Sequence, residues 1–368
     1  MNTPRQKAYP ACPETPEKES GFSLVEAIIT VAIFLMVLAA IFGVMRAGNI
    51  MQNSVSDRSE VTANARTAIN YIGRETVNAG LGYSRTGAVV PDDFAFDLLG
   101  IPKDSGNDRD LFTGVIAGNN VSASSLSVNG EKNDIVAFIS RDMEFNGGEP
   151  VVITGQMTVP VIPIISPAGD NLLTTGLGKC SNCRVFDLYT IESADGNQAL
   201  AMATAVTSSS ISIMDTDPLG LNRKSTDPPP VRSILTKCPG SSANNCFNYY
   251  PHATAKRVFL TSFSVDSEGT LIRTTYGNNT GASAAQQIQV HPLAYGVQSF
   301  QVRYLMQDGS LMDDPSAGNT NQMKMNEVVQ VEINVTLRSE TNLNGVTSTQ
   351  LINVDSTFST RNLRYDFE

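Results

Sequence analysis

The chain has 368 residues, of which 41% are hydrophobic and 17% charged; this is a globular composition, long enough for one large domain or two ordinary ones. The formal net charge of -10 argues against binding nucleic acid through a generally basic surface. Only two histidines, His252 and His291, are present, which leaves little material for a histidine-based metal or acid–base centre.

The first predicted element is a long apolar helix. Residues 27–45 contain no charged side chain, and residues 22–26 extend the run to about 24 residues. Such a helix is roughly 36 Å long, enough to cross a hydrocarbon core of about 30 Å. A signal peptide has a shorter apolar region, of about 7–15 residues, followed by a cleavage site of small residues. Residues 22–45 are therefore predicted to form a retained transmembrane helix.

The charges around this helix indicate its orientation. Arg5, Lys7 and Lys18 precede it, while Arg46 and Arg58 follow it. Because positively charged flanks tend to stay in the cytoplasm, this slight excess favours an N-terminus inside the cell and a body outside it. In a bacterium, the body would then lie in the periplasm or beyond.

The helix is predicted to continue as an amphipathic half over residues 46–82. No proline occurs between Phe22 and Val90, and the first strong break is the pair Gly80 and Gly82. Apolar residues recur mostly at steps of three and four, which is the spacing of one helix face. They are Met51, Val55, Val61, Ala65, Ala68, Ile69 and Ile72.

A six-residue string, GFSLVE, lies at the junction between the polar start of the chain and the apolar run. This string resembles the type IV prepilin signal, G-F-[ST]-L-x-E. The resemblance implies that a dedicated aspartic peptidase of the inner membrane cuts after Gly21 and that the new N-terminal residue, Phe22, is methylated on its amine. It also implies that Glu26 serves assembly with other pilins. An ordinary signal anchor with one interfacial glutamate is the alternative.

Each residue of the signal has a chemical reason for its place. Glycine before the cut keeps the backbone within reach of a peptidase. After cleavage, the cationic amine of Phe22 stands unfavourably at the positive end of the helix dipole, and Glu26, about one turn away, offsets it. An unpaired carboxylate in lipid costs roughly 2.5–3.5 kcal/mol at mid-bilayer. The amine of a neighbouring subunit can neutralise that charge.

The rest of the chain, residues 83–368, has the pattern of a β-rich head. Strand-like runs cover residues 134–140, 157–166, 185–191, 199–214, 258–265, 270–276, 297–305 and 327–337. A helix followed by strands predicts an α+β fold, with the amphipathic half-helix packed on an antiparallel sheet. The predicted organisation is a leader over residues 1–21, the two helix halves, and a head with an enlarged middle region over residues 141–256.

The C-terminal part of the head carries a second resemblance. Residues 294–309, followed by a strand that ends at Leu337 and Arg338, are similar to the C-terminal portion of PilW-type minor pilins. Pseudopilin J of type II secretion has a similar arrangement. The pilin-like architecture expected from the N-terminus is thus also expected at the other end of the chain.

Four cysteines form two close pairs, Cys180 with Cys183 and Cys238 with Cys246, while Cys12 lies in the leader. In a head outside the cytoplasm, such pairs are typical of disulfides. Local pairing is expected, but the crossed connectivities stay open. A four-thiolate zinc site and a redox C-x-x-C site are alternatives; the spacing of the second pair is loose for zinc.

No motif in the chain points to catalysis. Neither histidine has a nucleophile motif nearby, and neither H-E-x-x-H, a phosphate loop nor a dinucleotide fingerprint occurs. The acidic stretch over residues 313–327 carries many oxygen ligands but lacks EF-hand spacing, which favours a solvated loop over a calcium site. A protein without enzymatic activity, cofactor or metal is expected.

The expected function is structural: a PilW-like minor pilin that is anchored in the inner membrane with a periplasmic head and is then assembled into an extracellular type IV pilus. Its partners would be the prepilin peptidase, other pilins and an adhesin at the tip, where the subunit would help to prime assembly. The first alternative is a minor pseudopilin of a type II secretion system. The second is a signal-anchored periplasmic enzyme or binding protein.

Overall fold

The computed structural model describes residues 21–91, 93–103, 110–152, 182–192, 196, 198–206, 211–214, 216–222, 254–315, 322–343 and 346–363. Within these ranges, one long helix precedes a β-rich body that contains one further short α-helix. The predicted α+β class is therefore confirmed. The chain divides into two compact units, Met1–Ser56 and Asp57–Glu368.

Helix α1 covers Leu24–Asn78, close to the predicted span from Phe22 to about Gly80. Its 55 residues contain no proline, and it ends just before Gly80, whose φ of +74° is left-handed. An L side chain at that position would strain the backbone, so glycine suits the end of the helix.

The second α-helix, α2, is short and covers Phe94–Leu99. The strands, in chain order, are β1 (Ala88–Val90), β2 (Asp110–Phe112), β3 (Val115–Ser122), β4 (Asn133–Arg141), β5 (Val151–Val152), β6 (Leu188–Glu192), β7 (Gln198–Met202), β8 (Ala205–Val206), β9 (Ile211–Ser212), β10 (Thr254–Val265), β11 (Leu271–Tyr276), β12 (Ile288–Ala294), β13 (Val297–Met306), β14 (Leu311–Met312), β15 (Val328–Leu343) and β16 (Val346–Ser359).

These strands form a larger sheet, a smaller sheet and one small hairpin. The larger sheet has the order β12-β11-β10-β6-β7-β1-β2; strand β4 joins it through β10 and carries β3, and β5 also pairs with β10. Its pairs are antiparallel except for β1 with β7. The smaller sheet has the order β14-β13-β15-β16 and is antiparallel throughout. Strands β8 and β9 form the hairpin.

The second half of α1 packs on the smaller sheet, as the amphipathic pattern predicts. Ala65, Ala68, Ile69 and Ile72 are buried in one hydrophobic core with inward side chains of β13 and β15. Those inward side chains include Val297, Phe300, Val302, Tyr304, Val331, Ile333, Val335 and Leu337. Apolar and other residues alternate along the sequence of both strands. The apolar ones form the core face of each strand, and the others form its outer face.

Two of the predicted strand-like runs differ from the strands that the structure contains. The run over residues 185–191 becomes a strand only from Leu188, because Phe186 has a φ of +68° and breaks the extended backbone. The run over residues 199–214 is interrupted: β7 ends at Met202, and the chain then forms the β8–β9 hairpin. The run over residues 157–166 lies outside the described residues.

Seven strands have no counterpart among the predicted runs: β1, β2, β3, β5, β12, β14 and β16. Strand β16 reads as polar because Thr, Ser, Asn and Asp fill much of it, yet Val354 and Phe358 pack against the core. Its place is fixed by a long antiparallel register with β15, from Gln330 opposite Ser359 to Leu343 opposite Val346. Pairing with the adjacent strand β15, rather than hydrophobicity along its own sequence, defines this element.

Candidate functional site

The N-terminal signal residues lie at the start of α1 and are open to solvent. Residues 21–23 precede the helix, and the amide of Ala27 donates to the carbonyl of Ser23 over 3.1 Å in its first turn. A Cβ atom added to Gly21 would meet nothing within 4 Å, and Phe22 is 77% exposed. Among the described residues, nothing covers the peptide bond between Gly21 and Phe22.

Glu26 lies in the first turn of α1, where a carboxylate interacts favourably with the positive end of the helix dipole. Among the described residues, no lysine or arginine forms an ion pair with this carboxylate. The side chain of Thr30 donates to the backbone carbonyl of Glu26 over 2.7 Å and leaves the carboxylate itself available.

The helix after Glu26 exposes an unbroken apolar surface. Its most apolar window is long enough to cross a membrane, and none of that window is buried within the chain. Exposed large side chains include Ile28, Ile29, Val31, Ile33, Phe34, Leu35, Met36, Val37, Ile41, Phe42, Val44 and Met45. Apolar area on this scale is stable only in hydrocarbon or against similar helices.

The structure describes only one of the predicted disulfide residues. Cys183 is disulfide-bonded, half-buried, and packs beside the hydrophobic cluster around Tyr189 and Ile191. Cys180, Cys238 and Cys246, like Cys12, lie outside the described residues. The pairing therefore stays a prediction.

Among the residues that the structure describes, no further candidates for chemistry are brought together. His291 is exposed on β12, and His252 lies outside the described residues. Within the described ranges, no group of three or more His, Cys, Asp or Glu side chains is arranged to hold a metal ion. The absence of enzymatic activity stays a prediction.

One buried carboxylate that the sequence does not reveal is Asp134, at the start of β4. One of its oxygens accepts the amide of Asn120 and the other accepts the amide of Val302, each over 2.8 Å. The neighbouring Asn133 accepts the amide of Phe300, also over 2.8 Å. These two side chains connect β4 of the larger sheet to β13 of the smaller sheet.

The environment of Asp134 favours its protonated form. Burial raises the pKa of Asp134 from 3.8 to about 6, and the carboxylates of Asp313 and Asp314 add to the increase, while the two amide donors oppose it. Tyr304, on β13, has a hydroxyl pKa raised by burial and by the same acidic surroundings. The junction between the two sheets thus contains a group that titrates at mildly acidic pH.

The apolar helix, the signal at its start and the helix-on-sheet head together define a membrane-anchored protein of pilin-like architecture. Residues 17–42, which include Gly21, Phe22 and Glu26, match the family model described as the prokaryotic N-terminal methylation motif. The chain therefore carries a type IV prepilin-like signal, which supports a type IV pilin or pseudopilin-like protein and implies processing by a prepilin peptidase and assembly with other pilins. No curated protein and no solved structure gives a significant match to the chain.

Proposed function

We propose that this protein is a PilW-like minor pilin that is cut after Gly21, methylated on Phe22 and incorporated into a type IV pilus. The observation that carries the proposal is the continuity of one helix. Its start bears the prepilin-like signal, and its second half packs on a four-stranded antiparallel sheet. One helix can then join a filament through its first half and hold a head through its second.

The size of the head supports a subunit that is present in few copies per filament. Beyond the four-stranded sheet, the head contains a larger sheet and the middle region over residues 141–256. Helices in a packed bundle lie about 8–10 Å apart, so bulky heads on every subunit would compete for space. A large head fits best where neighbours are missing, at or near the tip, where this subunit primes assembly and contacts an adhesin.

The lack of a cationic partner for Glu26 among the described residues supports an assembly role for this carboxylate. In the membrane, the first half of α1 is surrounded by hydrocarbon, where an unpaired carboxylate costs roughly 2.5–3.5 kcal/mol at mid-depth. The methylated amine of Phe22 on an adjacent subunit supplies the opposite charge. The subunit thereby gains its correct axial register as it enters the filament from the inner membrane, with its head on the periplasmic side.

Quantitative mass spectrometry of sheared surface filaments tests this function. We expect peptides from residues 254–363 to be present at a small fraction of the level of the main filament subunit. We also expect deletion of the gene to reduce the number of surface pili. Normal piliation in the deletion strain, together with filaments that lack this chain, would refute the proposal.

A minor pseudopilin of type II secretion is the second candidate, because the methylation motif serves both kinds of assembly. The two differ in what is lost when the gene is deleted. If the chain serves secretion, its deletion should leave secreted proteins in the periplasm while pili remain. The same deletion strain therefore separates the candidates.

A further inference from the structure

The side chain of Arg257, on β10, lies in a buried ionic cluster. Its Nε and Nη2 atoms donate to Oδ2 of Asp142 over 2.8 and 2.6 Å, and its Nη1 donates to Oδ2 of Asp187 over 3.2 Å. Only 15% of the Arg257 side chain is exposed, and Asp187 is 2% exposed. The guanidinium carbon also lies 4.9 Å from the ring centroid of Phe145. Charge-assisted contacts in such a buried place are stronger than at the surface.

The same guanidinium reaches both ends of the segment that carries Cys183. Besides Asp187 at one end, Nη1 donates to the backbone carbonyl of Asn182 at the other, over 3.2 Å. Oδ2 of Asp187 in turn accepts the amide of Arg184 over 3.1 Å and the hydroxyl of Tyr189 over 3.1 Å. We name residues 182–187 the Cys183 loop.

The opposite side of the Cys183 loop is also held without the disulfide. The amide of Phe186 donates to the carbonyl of Ala203 over 2.7 Å, and the carbonyl of Phe186 accepts the amide of Asn278 over 2.9 Å. The side chain of Arg184 donates to the hydroxyl of Thr280. These contacts join the loop to two other parts of the larger sheet.

We propose that Arg257 is a positioning residue that holds the Cys183 loop in its folded conformation whether or not Cys183 is oxidised. The contacts that define the loop use backbone amides, carbonyls and carboxylates, and none of them uses sulfur. Removal of Arg257 would leave Asp142 and Asp187 buried without their counter-charge, which is strongly unfavourable. Reduction of the disulfide, by contrast, leaves every one of these contacts in place.

A loop that stays ordered when the disulfide is reduced keeps the Cys183 thiol at one place on the head.

Amide hydrogen exchange of the full chain in detergent tests this inference. The readout is exchange at the amides of Arg184 and Phe186, which donate to the Asp187 carboxylate and to the carbonyl of Ala203 in the folded loop. In the wild-type protein, reduction with dithiothreitol should change this exchange by less than about threefold, whereas Arg257→Gln should accelerate it by about tenfold or more even in the oxidised protein. Arg303→Gln, which removes an exposed arginine that pairs with Asp313 at the surface, is the matched control and should leave the loop unchanged.

Two results would overturn the inference. One is loss of loop protection on reduction of the wild-type protein, and the other is full protection in a folded Arg257→Gln variant. Exchange at Val331 and Ile333, in the smaller sheet, reports whether the head is folded. If Arg257→Gln unfolds the head, Arg257→Lys decides, because it keeps the charge and loses the two-pronged contact with Asp142: faster loop exchange supports the inference, and unchanged exchange refutes it.

Discussion

Gly73 of helix α1 faces the ring of Phe358 on β16 so closely that no side chain fits between them. A Cβ atom added to Gly73 would lie 2.2 Å from Cε1 of Phe358 and within 2.7 Å of two further ring atoms. Ile69 and Ile72, which precede Gly73 on the helix, are buried in the core against which Phe358 packs. The absence of a side chain at Gly73 thus lets the helix lie directly on the edge of the smaller sheet.

Gly73→Ala should therefore destabilise the head. The added methyl group has to displace Phe358, and overpacking of this kind costs about 1–3 kcal/mol. The matched control is Gly48→Ala, on the same helix, where an added Cβ meets nothing within 4 Å. The control should be neutral or more stable by up to about 1 kcal/mol, because alanine favours helix. Denaturant unfolding of the two variants should show this difference in midpoint, and equal midpoints would contradict the close contact.

The titration of Asp134 predicts that the head is more stable at mildly acidic pH than at neutral pH. Its folded-state pKa of about 6 lies above the ordinary value of 3.8, so the folded protein binds this proton more tightly than the unfolded chain does. The corresponding stability is fully present below about pH 4 and is lost as the pH rises through 6. We expect a decrease in the unfolding free energy of about 1–2 kcal/mol between pH 4 and pH 7.

Asp134→Asn should reduce that decrease, because asparagine does not titrate. Asp187 and Asp217, whose pKa values are also raised by burial, contribute in the same direction and remain in the variant. Glu60→Gln, at an exposed position of α1, is the control and should keep the wild-type profile. The measurement is unfolding by denaturant at several pH values. If the unfolding free energy of Asp134→Asn falls as steeply with pH as that of the wild type, Asp134 is not the origin of the pH dependence.

Glu26→Gln should lower incorporation into filaments without unfolding the head. The substitution preserves size but removes the charge that attracts the amine of Phe22 on a neighbour. Loss of one charge-assisted contact in the membrane should reduce incorporation by about tenfold. The ratio of filament-bound to membrane-bound protein, compared with that of Glu60→Gln, measures the effect. Incorporation at the wild-type ratio would show that Glu26 has no assembly role.

Gly21→Val should prevent removal of residues 1–21. A branched side chain next to the scissile bond displaces the backbone from the peptidase, and a shift of about 1 Å can cost about 100-fold in rate. Gly43→Val places the same side chain within the apolar helix, where an added Cβ also meets nothing within 4 Å. Intact-mass measurement of membrane fractions distinguishes cut from uncut chains. If the Gly21→Val chain is cleaved as efficiently as the wild type, the peptidase cuts at a different peptide bond.

Local patterns were sufficient to predict α1 and the signal. The apolar run, the spacing of Ala65, Ala68 and Ile72, and the glycine at the helix end are all encoded within a few turns of the elements they define. The runs over residues 297–305 and 327–337, which form β13 and β15, are likewise predicted from a local sequence pattern. Gly21, Phe22 and Glu26 belong to one continuous string, so the sequence alone predicts their roles, and those roles stay predictions.

The two buried clusters that the sequence does not reveal, around Arg257 and around Asp134, depend on partners far away in the sequence. Arg257 bonds to Asp142 and Asp187, which are 115 and 70 residues distant, and nothing near any of the three predicts the cluster. Asp134 likewise reads as the polar first residue of a strand until β13 is brought against it. Strand β12 contains Pro292 and is mostly exposed at the edge of its sheet, so its sequence lacks a buried face.

N-terminal mass spectrometry of this chain, purified from sheared surface filaments, tests the central claim most directly. The account predicts a mature chain that starts at Phe22 with one methyl group on its α-amine and lacks residues 1–21. A chain that starts at Met1 and is found only in membranes would contradict it.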